Sequence, residues 1–165
     1  MKKLIPLLLL MVFTSIGAQK ITDGQTVTVD GLAVTFNILN KESVNAGGKN
    51  YDRYKVSATL VNNSGKDFNL RMSNAPQVVT NTELVELNCI NATGAKLTSK
   101  KLTLKMNPQN LNVTYWAYTK DGKYQSFVIP VVSGYFLDNG GSVSDNAIFI
   151  VPQGQAPDVT VRKTL

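Results

Sequence analysis

The clearest structural pattern of the chain lies in one segment, which reads Gln25-Thr26-Val27-Thr28-Val29-Asp30-Gly31-Leu32-Ala33-Val34-Thr35-Phe36. Apolar residues recur at every second position on both sides of Asp30-Gly31, as is typical of strands with one buried face. A two-residue hairpin turn needs a positive φ at both central positions, and Asp-Gly is a preferred sequence for it because these two residues adopt a positive φ more readily than most. The turn pairs Val29 with Leu32, and the pairing continues outward to Gln25 and Phe36. One face of this predicted hairpin is therefore mostly apolar, and the other carries Thr and Ala.

A second hairpin is predicted around Asp121-Gly122, within residues 113–130. The same turn rule pairs Trp116 with Phe127. In this register the Trp116 side chain shares a face with other large apolar residues, and we predict that it faces the core.

Short alternating runs elsewhere predict further strands. Residues 54–60 and 85–89 place apolar side chains at every second position, whereas Ala147–Val151 is apolar throughout and is predicted as a strand buried on both faces. About nine or ten strands and no sustained helical pattern fall within residues 19–165, which predicts one antiparallel β-sandwich. A barrel is the alternative.

One of these strands carries a resemblance. The stretch reads Tyr54-Lys55-Val56-Ser57-Ala58-Thr59-Leu60-Val61-Asn62-Asn63-Ser64-Gly65-Lys66. It resembles a stretch common in immunoglobulin-like modules of bacterial envelope proteins, in which an alternating strand ends in an Asn-rich turn. The resemblance covers 13 of the 165 residues and implies a role in binding, spacing or assembly rather than catalysis. The chain has a single Cys, so it departs from antibody domains, which have an inter-sheet Cys pair.

The first 18 residues have the three parts of a secretory signal. Two Lys follow Met1, residues Leu4–Phe13 are apolar, and small residues lead up to Ala18. We predict a cleaved signal peptide over residues 1–18 and a β-domain over residues 19–165, exported to the periplasm or the cell exterior and without a membrane span. The alternative is a short anchor that is retained, although the apolar run is too short to span a bilayer comfortably.

The composition excludes many familiar catalytic sites. The chain has no His and one Cys, which removes Ser-His-Asp and Cys-His catalysis, most metal sites and any internal disulfide framework. Its formal net charge is +6, or +4 without Lys2 and Lys3 (6 − 2 = 4), and this mild excess does not point to nucleic acid. We predict no cofactor and no enzymatic activity.

Cys89 lies two residues after Leu87 and four after Val85, so it is on the same apolar face of the predicted strand. Its thiol is therefore predicted to be buried and inert. The alternative is an intermolecular disulfide in an oxidising compartment. Glu83 and Glu86 lie in the same region and would flank a groove, where an acidic pair is the minimum for glycoside hydrolysis.

The second hairpin offers a candidate ligand surface on the face opposite Trp116. In the predicted register Tyr115 and Tyr124 flank the small pair Ala117 and Ser126, so two rings enclose a shallow saddle. A sugar ring would stack on the two aromatic faces and bond to their hydroxyls. The alternative is that both Tyr side chains have ordinary structural roles.

Residues 138–146 form a predicted loop rich in oxygen ligands, which calcium prefers. Its candidate ligands are Asp138, Asn139 and Asp145. Gly140 stands where the helical calcium loop requires a ligand, so a plain polar connection between strands is the main interpretation.

These features together predict an exported, non-catalytic module that binds or assembles with an envelope or extracellular partner. A protein partner is favoured over a polysaccharide, and assembly through the terminal edge segments 19–22 and 159–165 is one route. The alternative function is a carbohydrate-active enzyme or a glycan-binding module that uses an aromatic strand face.

Overall fold

A computed structural model of the chain describes residues 18–71, 81–90 and 96–165, with the side chains of residues 96–99 outside that description. Eleven strands lie in these residues and no helix does, so the predicted all-β class is confirmed. The described residues contain one or two strands more than the nine or ten that the sequence predicts. The predicted signal peptide falls almost wholly on residues 1–17, outside the described residues.

The strands in chain order are β1 (Gln19–Ile21), β2 (Thr26–Val29), β3 (Leu32–Ala46), β4 (Lys49–Asn62), β5 (Phe68–Arg71), β6 (Glu83–Ile90), β7 (Lys96–Lys105), β8 (Asn107–Tyr118), β9 (Tyr124–Leu137), β10 (Ser142–Pro152) and β11 (Asp158–Lys163).

The strands form three antiparallel sheets. Two sheets have four strands each, in the orders β1-β11-β6-β7 and β10-β4-β3-β2, and the third has the order β5-β9-β8. The buried apolar side chains of the two four-stranded sheets form a single core, and the edge strands β7 and β10 are neighbours in space. This arrangement is consistent with the predicted β-sandwich.

The hairpin of β2 and β3 has the predicted register. Val29 pairs with Leu32 and Val27 with Val34, and φ is +49° at Asp30 and +80° at Gly31. The side chains of Leu32, Val34 and Phe36 are fully buried. On the opposite face the hydroxyls of Thr26 and Thr35 hydrogen-bond at 2.7 Å. The local turn chemistry and the apolar face therefore agree, and this prediction is confirmed.

The strand β10 was predicted to be buried on both faces, and this prediction is wrong. Phe149 and Val151 are fully buried, but Ile150 between them is 43% exposed, so the strand is not buried on both faces. One face of its sheet covers the core and the other meets solvent at Ile150. A continuous apolar run therefore does not by itself show that both faces are covered.

The hairpin of β8 and β9 also differs from its predicted register. Tyr118 pairs with Tyr124 and Trp116 with Ser126, one residue away from the expected pairing of Trp116 with Phe127. Asp121-Gly122 does not form a turn with two positive φ values, because only Gly122 has one (+73°).

The cause of this shift is the geometry of the loop. The N–H of Gly122 donates to the carbonyl of Thr119 (2.9 Å), and the N–H of Thr119 donates to the carbonyl of Lys123 (2.8 Å). Three residues, 120–122, thus separate Thr119 from Lys123, in the pattern of a type I turn followed by a left-handed glycine. The extra loop residue moves every side chain of one strand to the other face relative to the prediction.

Candidate interaction surface

The hairpin of β8 and β9, which we call the ribbon, carries most of the exposed apolar surface in the described residues. Nine of the twelve exposed large apolar side chains lie on it: Leu111, Val113, Tyr115, Trp116, Tyr118, Tyr124, Val128, Ile129 and Val132. Among the described residues, the ribbon is anchored at its root, where Leu137 enters the core and β5 pairs with residues 134–137. Clustered exposed apolar residues are typical of an interaction site.

The two strands of the ribbon contain no charged residue. The charges nearest to them in the sequence are Lys120, Asp121 and Lys123, which lie in the tip loop, and Lys105 and Asp138 at the root. Depletion of charge combined with enrichment in aromatic residues is the compositional signal of the centre of a protein interface.

The two faces of the ribbon differ. One face, which we call the aliphatic face, carries the side chains of Leu111, Val113, Tyr115, Phe127 and Ile129. The rings of Tyr115 and Phe127 stack there, with centroids 5.5 Å apart. This face is nearly continuous in apolar surface.

The other face carries an exposed aromatic cluster, which consists of Trp116, Tyr118 and Tyr124. The Trp116 and Tyr124 rings stack at 5.5 Å, and the Tyr118 and Tyr124 rings are tilted at 4.9 Å. Trp116 is 59% exposed, so the prediction that it faces the core is wrong. The register shift places Trp116 on the face opposite Ile129, but both faces of the ribbon are exposed, so Trp116 is exposed because no described segment covers the ribbon.

The shift also divides the predicted saddle. Tyr124 and Ser126 lie on the face of the aromatic cluster, whereas Tyr115 lies on the aliphatic face. The three proposed ligand residues therefore do not form one surface. Sequence reasoning missed Trp116 and Tyr118 as partners of Tyr124. The signal for them was the Thr119 side chain, whose hydroxyl accepts a hydrogen bond from the N–H of Lys123 and favours the longer loop.

Cys89 lies where its parity predicted, fully buried among core side chains of β6. Burial, and to a smaller degree the negative charge of Asp158, raises the pKa of the Cys89 thiol to about 11. A thiolate is thus disfavoured at neutral pH, and the thiol has no access to a second chain in this fold.

The predicted calcium ligands are separated by secondary structure. Asp138 and Asn139 lie in the turn after β9, but Asp145 lies within β10, opposite Ala58. Residues 142–146 are therefore strand rather than loop, which corrects the prediction. The Asn139 side-chain oxygen accepts a hydrogen bond from Gly65 N–H, and Asp145 Oδ1 accepts one from Asn146 N–H. In the described chain no three acidic, Cys or His residues cluster as a metal site would require.

Glu83 and Glu86 line a shallow depression of about 600 Å³ on the outer face of the β11-β6-β7 sheet. Lys101 Nζ bonds to both carboxylates, at 3.2 and 3.0 Å, and Arg162 bonds to Glu86 at 2.8 Å. Burial alone raises the pKa of Glu86, but the hydrogen bonds from Lys101 and Asn88 and the two cations outweigh it and lower the pKa. Glu86 is thus held ionised, which does not suit a general acid.

The terminal segments expected as assembly edges pair within the chain. The strand β11 is bonded to β1 on one side and β6 on the other, so it offers no open edge. The strand β1 is an outer strand of only three residues. The long strand β8 instead has an edge with which no strand of the described residues pairs.

The chain matches no protein-family model, none of the curated proteins and none of the solved structures with which it was compared. No helix in the described residues is long and apolar enough to cross a membrane. The class that the fold and the surface define is therefore an all-β, antiparallel protein with a projecting apolar ribbon.

Proposed function

We propose that this chain is an exported, non-catalytic β-sandwich module of the immunoglobulin-like kind, which binds a protein partner through the ribbon of β8 and β9. The observation that carries the proposal is the combination of exposed apolar side chains on both faces with two strands that contain no charge. Export rests on the signal-like pattern of residues 1–18.

Exposing the apolar side chains of the ribbon to water is unfavourable in free energy. An isolated two-stranded hairpin is marginally stable in water, and it gains stability from further strands or from a covered apolar face. Each Å² of apolar surface removed from water is worth roughly 25 cal/mol. A partner that covers the aliphatic face at Val113 and Ile129 would therefore stabilise the ribbon and bind in the same step.

Two side-chain arrangements support a non-catalytic role. The acidic pair Glu83 and Glu86 is neutralised by Lys101 and Arg162, and the Cys89 thiol is buried. Both groups have the surroundings of structural side chains.

Site-specific photo-cross-linking in the cell that produces the protein tests the proposal. Val113 on the ribbon and Ile150 on β10 are a matched pair, because they are exposed to 42% and 43%. A photoreactive residue at position 113 should give a discrete protein adduct that Ile129→Lys removes, and one at position 150 should not. Equal labelling from both positions would contradict a role for the ribbon.

Glycan binding is the second candidate function, and the exposed stack of Trp116, Tyr118 and Tyr124 favours it. Aromatic rings offer apolar faces to sugar rings, and Tyr adds a hydroxyl. In a polysaccharide pull-down, Trp116→Ala should lower retention severalfold while Tyr115→Ala, on the other face, leaves it unchanged. Equal retention of all three proteins would remove this candidate.

A further inference from the structure

We infer that the partner of the ribbon is a second copy of this chain, joined by antiparallel pairing of β8 with the β8 of the other copy. This inference rests on the proposed function, because it names the partner of the same ribbon. The contact it proposes is the main-chain edge of β8, beside the apolar faces. Four features of β8 carry it: an open edge, an absence of charge, self-complementary symmetry and sufficient length.

The outer edge of β8 is open. In the order β5-β9-β8 this strand is terminal, and among the described residues no strand pairs with its outer side over Asn107–Tyr118. Proteins that avoid edge pairing use short edge strands, Lys, bulges or Pro. The strand β8 is long and has no charged residue, and its single Pro, Pro108, stands at the start.

Symmetry makes this edge complementary to itself. A twofold axis perpendicular to the sheet keeps each side chain on its own face, so residues directly opposite each other must have the same parity. Leu111, Val113 and Tyr115 of one copy would then meet the same set in the other. The two aliphatic faces join into one four-stranded surface, and the two aromatic clusters lie on the reverse face, towards opposite ends of the seam.

The length of β8 supplies the hydrogen bonds of a dimer interface. The strand has twelve residues, and because opposed residues have the same parity, at most eleven of them pair. Eleven paired residues span about 37 Å and supply about ten main-chain hydrogen bonds. Specific interfaces carry about ten such bonds. A flat strip about 37 Å long and 10 Å high is roughly 370 Å² on each copy, below the roughly 600 Å² per copy of the smallest stable interfaces. Contacts between the side chains that flank the seam must supply the remaining area.

Single-cysteine scanning of the full chain tests the pairing. Under a twofold axis only one β8 residue lies opposite its own copy, so disulfide yield should peak at one position within residues 111–115 and fall severalfold on both sides. Val128→Cys is the control, because Val128 is 61% exposed but lies on β9, away from the proposed seam. Cys89 is fully buried and should not contribute.

Light scattering after size exclusion gives the second measurement. The unmodified chain should show concentration-dependent dimerisation, and Thr114→Lys, placed mid-edge on the exposed strand, should weaken it at least tenfold. A monomer at every concentration, or a yield from Val128→Cys equal to the peak, would overturn the inference. If the photoreactive residue at position 113 then still labels a different protein, the proposed function stands without self-pairing. If it labels no protein, both proposals fail.

Discussion

At the scale of single residues, Asn62 is the polar group that joins three parts of the chain. Its fully buried amide nitrogen lies within hydrogen-bond distance of the carbonyls of Lys66, Leu137 and Asp138, at 2.7 to 3.2 Å. Its oxygen accepts hydrogen bonds from the N–H and hydroxyl of Ser64. Buried polar groups are tolerated when they are satisfied in this way. Asn62 thus fixes the end of β4 against the end of β9, where the ribbon begins.

Asp52 has a similar role at the other end of β4. Its buried carboxylate accepts hydrogen bonds from Ser43 Oγ (3.0 Å) and Gly154 N–H (2.8 Å), and it pairs with Lys41 Nζ at 2.9 Å. The bond from Lys41, followed by that from Gly154, holds the pKa of Asp52 below its ordinary value. The hydrogen bond to Asp52 in turn raises the pKa of Lys41.

This lowered pKa predicts a pH dependence of stability. A carboxyl group with a lower pKa in the folded state contributes stability above its unfolded pKa, here 3.8, and loses it as the pH falls through the folded pKa. The free energy of unfolding of the unmodified chain should therefore exceed that of Asp52→Asn by a constant amount above about pH 5, and the gap should shrink below about pH 4.

Urea denaturation between pH 2.5 and 8 measures this gap. Asp121→Asn is the control, because Asp121 lies exposed in the tip loop of the ribbon and should show little effect across the range. A gap for Asp52→Asn that stays constant down to pH 2.5 would show that the folded pKa of Asp52 is not lowered.

At the scale of elements, the two Asp-Gly pairs show how one dipeptide makes two turns. Asp30 and Gly31 both have positive φ, and the carbonyl of Gly31 accepts a hydrogen bond from Asn63 N–H at 2.8 Å. At the ribbon tip only Gly122 has a positive φ, and its surroundings are open. The first turn, at Gly31, contacts Asn63, whereas the second turn, at Gly122, faces solvent, and the two turns differ in their φ values accordingly.

The same comparison gives a prediction for two glycines. A Cβ at Gly31 would lie 2.6 Å from Ser64 Cα, whereas a Cβ at Gly122 would have no heavy atom within 4 Å. Both substitutions by Ala incur the cost of positive φ, about 1 kcal/mol. Gly31→Ala should lose at least about 1 kcal/mol more than Gly122→Ala, because the backbone near Ser64 must also move. Chemical denaturation of the two variants measures the difference, and equal losses would exclude the close approach.

At the scale of the whole molecule, the single Trp reports on the ribbon. Trp116 is 59% exposed, outside the core. At concentrations low enough to prevent self-association, its fluorescence should be strongly quenched by acrylamide and should shift little when urea unfolds the chain. Far-ultraviolet circular dichroism should change strongly in the same titration. A blue-shifted emission that moves to the red on unfolding would instead show that Trp116 is buried.

Local patterns in the sequence predicted most of the strands, and for several strands they also predicted which side chains face the core. The alternation of residues 54–60 and the turn at Asp30-Gly31 predicted side chains that are buried as expected, and Cys89 followed the same rule. These features depend on neighbours a few residues apart, because side chains in a strand alternate with period two.

The candidate site depended on one local turn and on contacts that are distant in sequence. The loop geometry at Gly122 set the register of the ribbon, and with it the separation of Tyr115 from Tyr124. The exposure of Ile150 and the open edge of β8 depend on which elements lie beside them. The face on which a strand side chain lies is a local property, so the sequence pattern predicts it together with the strand. Whether that face is covered depends on segments far along the chain, so only the assembled sheets decide which surfaces remain for a partner.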